Sequence, residues 1–294
     1  MGRADGLLPV IRPPAVLKRL VKAVLRQAGL EVRRTRRQPA LEDRMSLSGG
    51  LRQARRLGFE PGTCLDVGAA FGNFTVECAA IFPEAAYLLV EPLEEYRPFL
   101  EAVTARLPRA RYAAVAAAAR CGEVVLHVHA DLVGSSLLRE TEGAATDGVA
   151  RALPARTIDE LCQVHDLRGP YLLKADVQGA ELEVLEGART VLRDTEYVLL
   201  EVSLFRFFVG GPEVADVIAF MRSCGFVPYD LFHPMHRPLD GALSQFDLAF
   251  VKETGMFRRQ HVYATPTQRR AQDARFAGTV ARARAGLGRG RPSP

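Results

Sequence analysis

Short apolar runs alternate with stretches of helical length between residues 63 and 252, and this alternation limits the fold more than any other feature of the sequence. Short runs with many β-branched and aromatic side chains are typical of buried strands. Their alternation with amphipathic segments favours a mostly parallel sheet with helices on both faces. The predicted strands are residues 63–67, 87–90, 112–116, 171–175 and 197–201, and the predicted helices are residues 71–82, 181–192 and 214–224.

The end of this region departs from purely parallel winding. Two further predicted strands, residues 226–229 and 246–252, lie close together in the sequence, as antiparallel neighbours can. We therefore predict a doubly wound, mostly parallel, seven-stranded α/β sheet with an antiparallel edge strand. Residues 123–128 indicate an extra short strand. Residues 130–156 show no clear periodicity, and we expect them to form a long loop that is functional or mobile.

The charge of the chain is divided unevenly along its length. The formal net charge is +5, but residues 1–45 carry a surplus of seven positive charges and residues 255–294 a surplus of eight, so residues 46–254 carry −10. We expect a basic N-terminal extension (1–45), an acidic folded domain (46–254) and an Arg-, Ala- and Gly-rich tail (255–294) that is partly disordered. The acidic domain argues against a specific nucleic-acid partner, because a phosphate backbone requires a basic track.

Residues 15–30 of the extension have the pattern of a basic amphipathic helix. Such a helix can pack its apolar face on the domain or on a second subunit of a homo-oligomer, and it can also lie on an anionic membrane surface. We favour packing and keep the peripheral membrane contact as the alternative. The apolar face comprises Val16, Leu17, Leu20, Val21, Val24 and Leu25, and the basic face comprises Lys18, Arg19, Lys22 and Arg26.

The cysteines and the apolar runs indicate the compartment. The five cysteines include no C-x-x-C pair, and an odd number of thiols is more typical of a reducing interior than of a secreted protein. No apolar run in the sequence approaches the ~18 residues that span a bilayer. The first residues also lack the pattern of a secretion signal. We therefore expect a cytoplasmic protein.

A glycine turn follows the first predicted strand, in residues 66–72 with the sequence D-V-G-A-A-F-G. Gly68 and Gly72 let the backbone approach a ligand closely, and the following helix begins with free N–H groups. Ligands of open α/β sheets bind at the carboxyl ends of the strands. Glu91 ends the next strand beside the same crevice, where a carboxylate can accept hydrogen bonds from both ribose hydroxyls of a nucleoside.

More than one kind of site combines a glycine turn with an acidic residue. The nicotinamide-binding fingerprint does so, but it requires G-x-G-x-x-G, whereas three residues separate Gly68 from Gly72. Asp66 would also repel a pyrophosphate, whereas a cofactor with a cationic amino-acid end would be tolerated. An NAD-dependent oxidoreductase, a non-catalytic binding protein and an ordinary βα turn remain the alternatives at this point.

The glycine turn is one of four segments that together match a known set of motifs. They are D-V-G-A-A-F-G at residues 66–72, V-E-P at 90–92, T-I-D-E-L at 157–161 and K-A-D-V-Q-G-A-E at 174–181. In this order they resemble the FkbM family of S-adenosylmethionine-dependent methyltransferases, which have a Rossmann-like fold. The resemblance covers about residues 50–252. It implies S-adenosylmethionine as the cofactor and an acceptor of the sugar, glycan or polyketide type.

Three positions depart from the pattern of the family. Ala70 stands where the family commonly has Asn, which removes one polar group near the cofactor. Gln178 replaces the usual Glu and removes one negative charge, and Ala175 stands where a larger aliphatic residue is usual. None of these changes removes a residue on which the cofactor assignment depends.

The resemblance implies roles for the residues of the cofactor site. Gly68 and Gly72 would cradle the methionine part of S-adenosylmethionine, and Asp66 would lie near its amino group. Glu91 would hold the ribose hydroxyls. Phe71 and Pro92 would form walls of the site, and Val115 and Ala116 would approach the adenine.

The acceptor side is marked by fewer residues. Methyl transfer from a sulfonium is an in-line displacement that depends on positioning, and an oxygen nucleophile also benefits from a base. Asp176 ends the fourth predicted strand and is our candidate for this catalytic role, although it could instead satisfy the N-terminus of the next helix. Glu181 is expected to be a structural partner of Lys174. Further residues that could contact the acceptor are Ser135, Ser136, Glu201 and His233.

The sequence thus predicts a methyltransferase that uses S-adenosylmethionine to methylate a hydroxyl oxygen of a small molecule. The histidines and carboxylates show no tight metal-ligand spacing, so we expect no metal. The NAD-dependent oxidoreductase and the binding protein on the same fold stay open as alternatives.

Overall fold

The structure is a computed structural model that describes residues 43–143 and 145–287. The helix predicted for residues 15–30 lies outside the described residues. The strands are β1 (Thr63–Val67), β2 (Ala86–Val90), β3 (Ala110–Ala113), β4 (Ala116–Ala117), β5 (Gly122–Val128), β6 (Val149–Arg156), β7 (Tyr171–Ala175), β8 (Thr195–Ser203), β9 (Phe226–His236) and β10 (Leu243–Lys252). The helices are α1 (Leu47–Arg56), α2 (Asn73–Ile81), α3 (Arg97–Arg106), α4 (Ile158–Val164), α5 (Glu181–Glu186), α6 (Val214–Ser223) and α7 (Pro266–Leu287).

Seven of these strands form the main sheet, in the order β3–β2–β1–β7–β8–β10–β9. All neighbours from β3 to β8 pair in parallel. Strand β10 runs antiparallel to both β8 and β9, so the reversed strand lies one position inside the edge. The predicted fold class is therefore confirmed, and the antiparallel pair lies at the edge of the sheet, as expected. The strand order changes direction between β1 and β7, which is the point where open α/β sheets bind ligands.

The two faces of the sheet are covered by different helices. Successive side chains of a strand point to opposite faces, and β1 illustrates this, because Cys64 packs in one core cluster and Leu65 in the other. The cluster that contains Cys64 also holds residues of α1, α2 and α3. The cluster that contains Leu65 holds residues of α4, α5 and α6. Burial on both faces explains why the parallel strands are continuous apolar runs.

Two predictions about residues 112–156 are wrong in part. The third strand ends at Ala113, because Ala116 and Ala117 leave the main sheet and pair with β6 in a second, three-stranded sheet. The expected long loop contains β6 itself, which pairs antiparallel with β5. Most side chains of β6 are small, polar or exposed. Its pairing with β5, and not an apolar face, makes it a strand, so periodicity could not identify it.

The helix predicted for residues 181–192 is shorter in the structure. Helix α5 ends at Glu186, and a 3₁₀ turn follows at Val191–Asp194. A Cβ at Gly187 would lie 2.2 Å from the Ala118 carbonyl oxygen, so the chain passes close to another backbone there. Asp159 then accepts hydrogen bonds from the backbone N–H groups of Thr190 and Val191. These long-range contacts end the helix early.

The C-terminal tail, which we expected to be partly disordered, contains an α-helix within the described residues. Helix α7 occupies Pro266–Leu287, and nearly all of its described side chains are exposed. Ala and Arg have high intrinsic helix propensities, so this segment forms a helix without an apolar face. In residues 43–143 and 145–287, no helix combines the length and the apolar character that crossing a membrane requires.

Candidate active site

A cleft opens at the carboxyl ends of β1, β2, β7 and β8, with about 810 Å³ of empty space that is partly open to solvent. We call the part formed after β1 and β2 the glycine-turn half; it contains Gly68, Ala70, Glu91, Pro92 and Tyr96. We call the part formed after β7 and β8 the carboxylate half; it contains Asp176, Gln178 and Glu201. The two halves join where β1 lies beside β7.

Gly68 is the residue at which the two halves meet. Its φ of 72° is left-handed, and an added Cβ would lie only 1.9 Å from the Asp176 carbonyl oxygen. Only glycine fits this close backbone approach. The N–H groups of Gly68 and Ala69 both donate to the Val90 carbonyl oxygen, which ties the turn to the end of β2.

Gly72 has a packing role and does not line the cleft. It precedes α2 with a φ of 75°, and an added Cβ would lie 3.1 Å from Val103 and 3.2 Å from Leu100 of α3. Between the two glycines, Ala70 has a left-handed φ of 44°. Asn adopts this conformation more readily than Ala, which is a physical reason for the Asn that we expect at this position in the family.

Glu91 presents a fixed carboxylate to the glycine-turn half. The residue is 5% exposed, and its Oε2 and Oε1 accept hydrogen bonds from the backbone N–H groups of Ala70 (3.1 Å) and Leu93 (3.0 Å). Burial raises the pKa of Glu91, while these two hydrogen bonds oppose the rise. Each carboxylate oxygen can accept a further hydrogen bond, so the group is held in place and can still bind two hydroxyls.

Asp66 lies beneath the turn and does not line the cleft. Its Oδ2 accepts a hydrogen bond from Thr75 Oγ1 (2.7 Å), and its Oδ1 is 3.6 Å from Lys174 Nζ. Burial raises the pKa of Asp66, and the Lys174 charge opposes that rise. The residue links β1 to α2 and β7, whereas the resemblance implied a position beside the cofactor amino group.

Lys174 bridges the two halves from below. Its Nζ donates to the Gly68 carbonyl oxygen (3.3 Å) and lies 3.4 Å from Asp176 Oδ2. Burial opposes the charged form, but the carboxylates of Asp176 and Asp66 outweigh it and raise the pKa of Lys174. The ammonium therefore stays charged and holds the ends of β1 and β7 together.

The carboxylate half is connected by two amide side chains. Gln178 Nε2 donates to Asp176 Oδ1 (3.0 Å) and to Glu201 Oε2 (2.9 Å), and Gln245 Nε2 donates to the same Glu201 oxygen (3.1 Å). No hydrogen bond in the described part of the chain engages Glu201 Oε1. Burial, together with the negative charges of Asp176, Glu181 and Asp247, raises the pKa of Glu201 to about 8 against the attraction of Lys174.

Glu181 has a structural role, but its partner is not the one we expected. Its Oε1 accepts hydrogen bonds from the backbone N–H groups of Val177 (3.1 Å) and Gly179 (3.2 Å), whereas the predicted partner Lys174 pairs with Asp66 and Asp176. Burial raises the pKa of Glu181 to about 7. The group fixes the turn that carries Gln178.

The two candidate serines differ in position. Ser135 lines the cleft, and its Oγ accepts a hydrogen bond from the His129 N–H group (3.1 Å). Ser136 is buried, and its Oγ donates to the Gln178 carbonyl oxygen (2.6 Å). Ser136 therefore ties the loop after β5 to the carboxylate half.

The structure does not bring the remaining candidates into one site. Pro92 and Ala116 line the cleft, but Val115 is not among its lining residues. Phe71 is 44% exposed and packs edge-on against Tyr96, with ring centroids 4.9 Å apart. The His233 side chain is 55% exposed outside the cleft, where its Nδ1 lies 2.8 Å from Asp247 Oδ2.

Sequence reasoning did not identify Tyr96 or Gln245. Tyr96 lies five residues after Glu91 in the 3₁₀ turn Glu94–Tyr96, and nothing in its local pattern separates it from a core aromatic residue. Gln245 is on β10, and only the pairing of β10 with β8 brings it to Glu201. The described residues contain no group of three or more side chains placed to hold a metal ion.

A sequence model described as the methyltransferase FkbM domain matches residues 66–228, which is more than half of the chain. A search of curated proteins finds no match. Among solved structures, the chain is similar to a methyltransferase FkbM from Methylobacillus flagellatus KT, with 16% identity and a TM-score of 0.41. That match covers 64% of this chain and 43% of the other, so the chain spans less than half of that protein.

Two further solved structures are similar to the chain to about the same degree. One is the magnesium protoporphyrin IX methyltransferase of Synechocystis PCC 6803 with bound S-adenosylmethionine, with 12% identity, a TM-score of 0.41, and coverage of 80% of this chain and 96% of that one. The other is the fibrillarin of Aeropyrum pernix with natively bound S-adenosylmethionine, with 17% identity, a TM-score of 0.39, and coverage of 68% and 74%.

Proposed function

The chain belongs to the FkbM methyltransferase family, and from this premise we propose that it transfers a methyl group from S-adenosylmethionine to a hydroxyl oxygen of a small molecule. The domain that does so is the acidic region 46–254. The acceptor is of the sugar, glycan or polyketide type. We also propose a cytoplasmic location, and packing or subunit contact through residues 15–30.

One observation carries the proposal, which is the position of the Glu91 carboxylate. It ends β2, faces the cleft beside Gly68 and is fixed by two backbone hydrogen bonds that leave each oxygen able to accept another. These two acceptor oxygens suit the two ribose hydroxyls of an adenosyl group, which would donate hydrogen bonds to them. The Tyr96 hydroxyl lies in the same half of the cleft and has no hydrogen-bond partner among the described residues, which also fits a polar ligand.

When bound, S-adenosylmethionine supplies an electrophilic methyl group on a sulfonium. The chain contributes position, because in-line displacement requires the acceptor oxygen and the methyl carbon to be held in line. Glu91 and the turn at Gly68 would hold the cofactor in the glycine-turn half. The carboxylate half would hold the acceptor hydroxyl and remove its proton.

Two carboxylates could take that proton, and their contacts favour Glu201 over Asp176. Both oxygens of Asp176 are engaged, one by Gln178 and one by Lys174. Glu201 receives both amides on Oε2, and its Oε1 has no hydrogen bond from the described residues. A base is most effective when its pKa lies near the working pH, and the pKa of Glu201 is raised to about 8. Asp176, the candidate from sequence, would then orient Gln178.

The proposal is tested by calorimetric titration of the protein with S-adenosylmethionine and with NAD. We expect S-adenosylmethionine to bind and NAD not to bind. Glu91→Ala should weaken binding about 100-fold or more, because hydrogen bonds to a charged group contribute ~1.5–3 kcal/mol each. Glu84→Ala, at an exposed glutamate before β2, is the matched control. Preference for NAD, or unchanged binding in Glu91→Ala, would refute the cofactor assignment.

The acceptor class is tested by a separate measurement. Transfer of labelled methyl groups from S-adenosylmethionine to pools of sugars, glycans and polyketides should yield a methyl ether. Labelling only of amines or thiols would contradict O-methylation while leaving the methyltransferase assignment intact.

A further inference from the structure

Tyr96 combines burial with an unsatisfied polar group. The residue is 2% exposed, and its hydroxyl has no hydrogen-bond partner among the described residues. Buried tyrosine hydroxyls usually find a partner, and leaving one without a partner costs ~1–3 kcal/mol. Tyr96 also lines the glycine-turn half of the cleft. A ligand in the cleft could therefore supply the missing partner.

The ring of Tyr96 is held in one orientation. Phe71 packs edge-on against it at 4.9 Å, and Phe99 packs edge-on against Phe71 at 5.0 Å. The Tyr96 N–H group donates to the Leu93 carbonyl oxygen, and the Leu93 N–H group donates to Glu91. The same short segment thus fixes both the tyrosine and the carboxylate, so their relative position is set before any ligand binds.

The hydroxyl of Tyr96 is available as a donor. Burial raises its pKa, and the negative charges of Glu91 and Asp131 raise it further, so the proton is retained at neutral pH. Among the described residues that line the cleft, Tyr96, Ser135 and Gln178 have a hydroxyl or amide side chain that can donate a hydrogen bond. Both amide hydrogens of Gln178 are used by Asp176 and Glu201. Tyr96 lies in the glycine-turn half together with Glu91, five residues after it in the sequence.

We propose that the Tyr96 hydroxyl donates a hydrogen bond to a ribose oxygen of the bound cofactor, completing with Glu91 a donor–acceptor pair for the ribose diol. Each ribose hydroxyl is both a donor and an acceptor, whereas a carboxylate in its ionised form only accepts. A carboxylate alone therefore leaves the lone pairs of the diol unsatisfied in a buried site, and the tyrosine supplies the complementary donor. This inference rests on the function proposed above.

The test compares two tyrosines whose buried hydroxyls both lack a hydrogen-bond partner among the described residues. The Tyr197 hydroxyl is also buried without a partner in the described residues, but Tyr197 packs among Phe59 and Phe257 in the core and does not line the cleft. Tyr96→Phe and Tyr197→Phe each remove one hydroxyl and keep the ring. Thermal unfolding without ligand should show both variants at least as stable as the wild type, because each loses an unsatisfied group.

Calorimetric titration with S-adenosylhomocysteine then separates the two variants. Tyr96→Phe should bind it roughly three- to tenfold more weakly, as expected for one hydrogen bond, and Tyr197→Phe should bind it like the wild type. The 2′-deoxy and 3′-deoxy analogues of S-adenosylhomocysteine locate the contact. With one of them, the wild type should lose affinity and the difference between wild type and Tyr96→Phe should shrink.

The outcomes are distinct. Equal binding of S-adenosylhomocysteine by Tyr96→Phe and the wild type would overturn the inference while leaving the proposed function intact. If Tyr96→Phe bound both deoxy analogues more weakly than the wild type by the same factor as it does S-adenosylhomocysteine, the contact with the ribose would be overturned. If the wild type did not bind S-adenosylhomocysteine, the proposed function would fail and the inference with it. The deoxy analogues probe the contact on the wild type, so the test does not depend on folding of the variant.

Discussion

The two halves of the cleft are built in different ways. The glycine-turn half comes mainly from one stretch of chain, in which β1, its turn and β2 place Gly68 and Glu91 side by side. The carboxylate half joins side chains from three distant segments, with Gln178 after β7, Glu201 on β8 and Gln245 on β10. The first half can therefore be recognised from a local motif, whereas the second exists only when the sheet is complete.

The halves also differ in how they manage charge. In the glycine-turn half, backbone N–H groups hold Glu91 and leave its oxygens open to a ligand. In the carboxylate half, the negative charges of Asp176 and Asp247 raise the pKa of Glu201, and the Lys174 ammonium opposes them. This arrangement raises the proton affinity of Glu201. One half is thus suited to binding and the other to proton transfer.

The largest effect should separate the two carboxylates of the carboxylate half. Glu201→Gln keeps an oxygen that can accept from Gln178 and Gln245 but removes the proton acceptor, so kcat should fall about 10²–10⁴-fold. Asp176→Asn should lower kcat by about tenfold or less, because its role would be to orient Gln178. Both variants should bind S-adenosylmethionine like the wild type. Methyl transfer to an acceptor identified by the screen measures kcat, and the reverse order of effects would return the base role to Asp176.

The junction between the halves should be the next most sensitive position. Gly68→Ala places a Cβ 1.9 Å from the Asp176 carbonyl oxygen, so it should destabilise the fold by more than about 3 kcal/mol. Gly58→Ala is the matched control, because Gly58 also has a positive φ but no atom of the described residues lies within 4 Å of an added Cβ. The control should cost only ~1 kcal/mol. Denaturant unfolding measures both, and similar losses would mean that the backbone contact at Gly68 is not restrictive.

The raised pKa of Glu201 predicts that the stability of the fold depends on pH. The folded protein keeps the Glu201 proton up to about pH 8, whereas the ordinary value is 4.5, so the unfolded state binds fewer protons between these values and stability falls as the pH rises. Glu201→Gln cannot ionise. The unfolding temperature of Glu201→Gln minus that of the wild type should therefore become more positive from pH 5 to pH 9. Glu183→Gln, at an exposed position on α5, is the control, and a pH-independent Glu201→Gln difference would contradict the raised proton affinity.

The smallest effect should come from a residue at the margin of the carboxylate half. His233 is mostly exposed and bonded to Asp247 outside the cleft. His233→Asn can keep a hydrogen bond to Asp247, so kcat should change about twofold or less. A drop above about tenfold would place His233 in the reaction and extend the carboxylate half to β9.

Part of the site could be predicted because its signals are local. The turn at Gly68 and the acid at Glu91 follow strands whose apolar runs are visible in the sequence, and both residues line the cleft. Asp66 and Gly72 belong to the same motif but lie outside the lining, where they hold the turn and α2 in place. A motif indicates which residues a turn requires, but it does not say which of them face the ligand.

The strand–helix alternation and the glycine turn were determined by the sequence itself, because burial on both faces and positive φ angles restrict residue type locally. Only the tertiary structure decided the carboxylate half, the position of Tyr96 in the cleft and the position of β6. The register that sets Asp247 opposite Glu201 brings Gln245 to its carboxylate. Such registers depend on long-range pairing, and pairing between segments that are distant in the chain leaves no periodic signal in either of them.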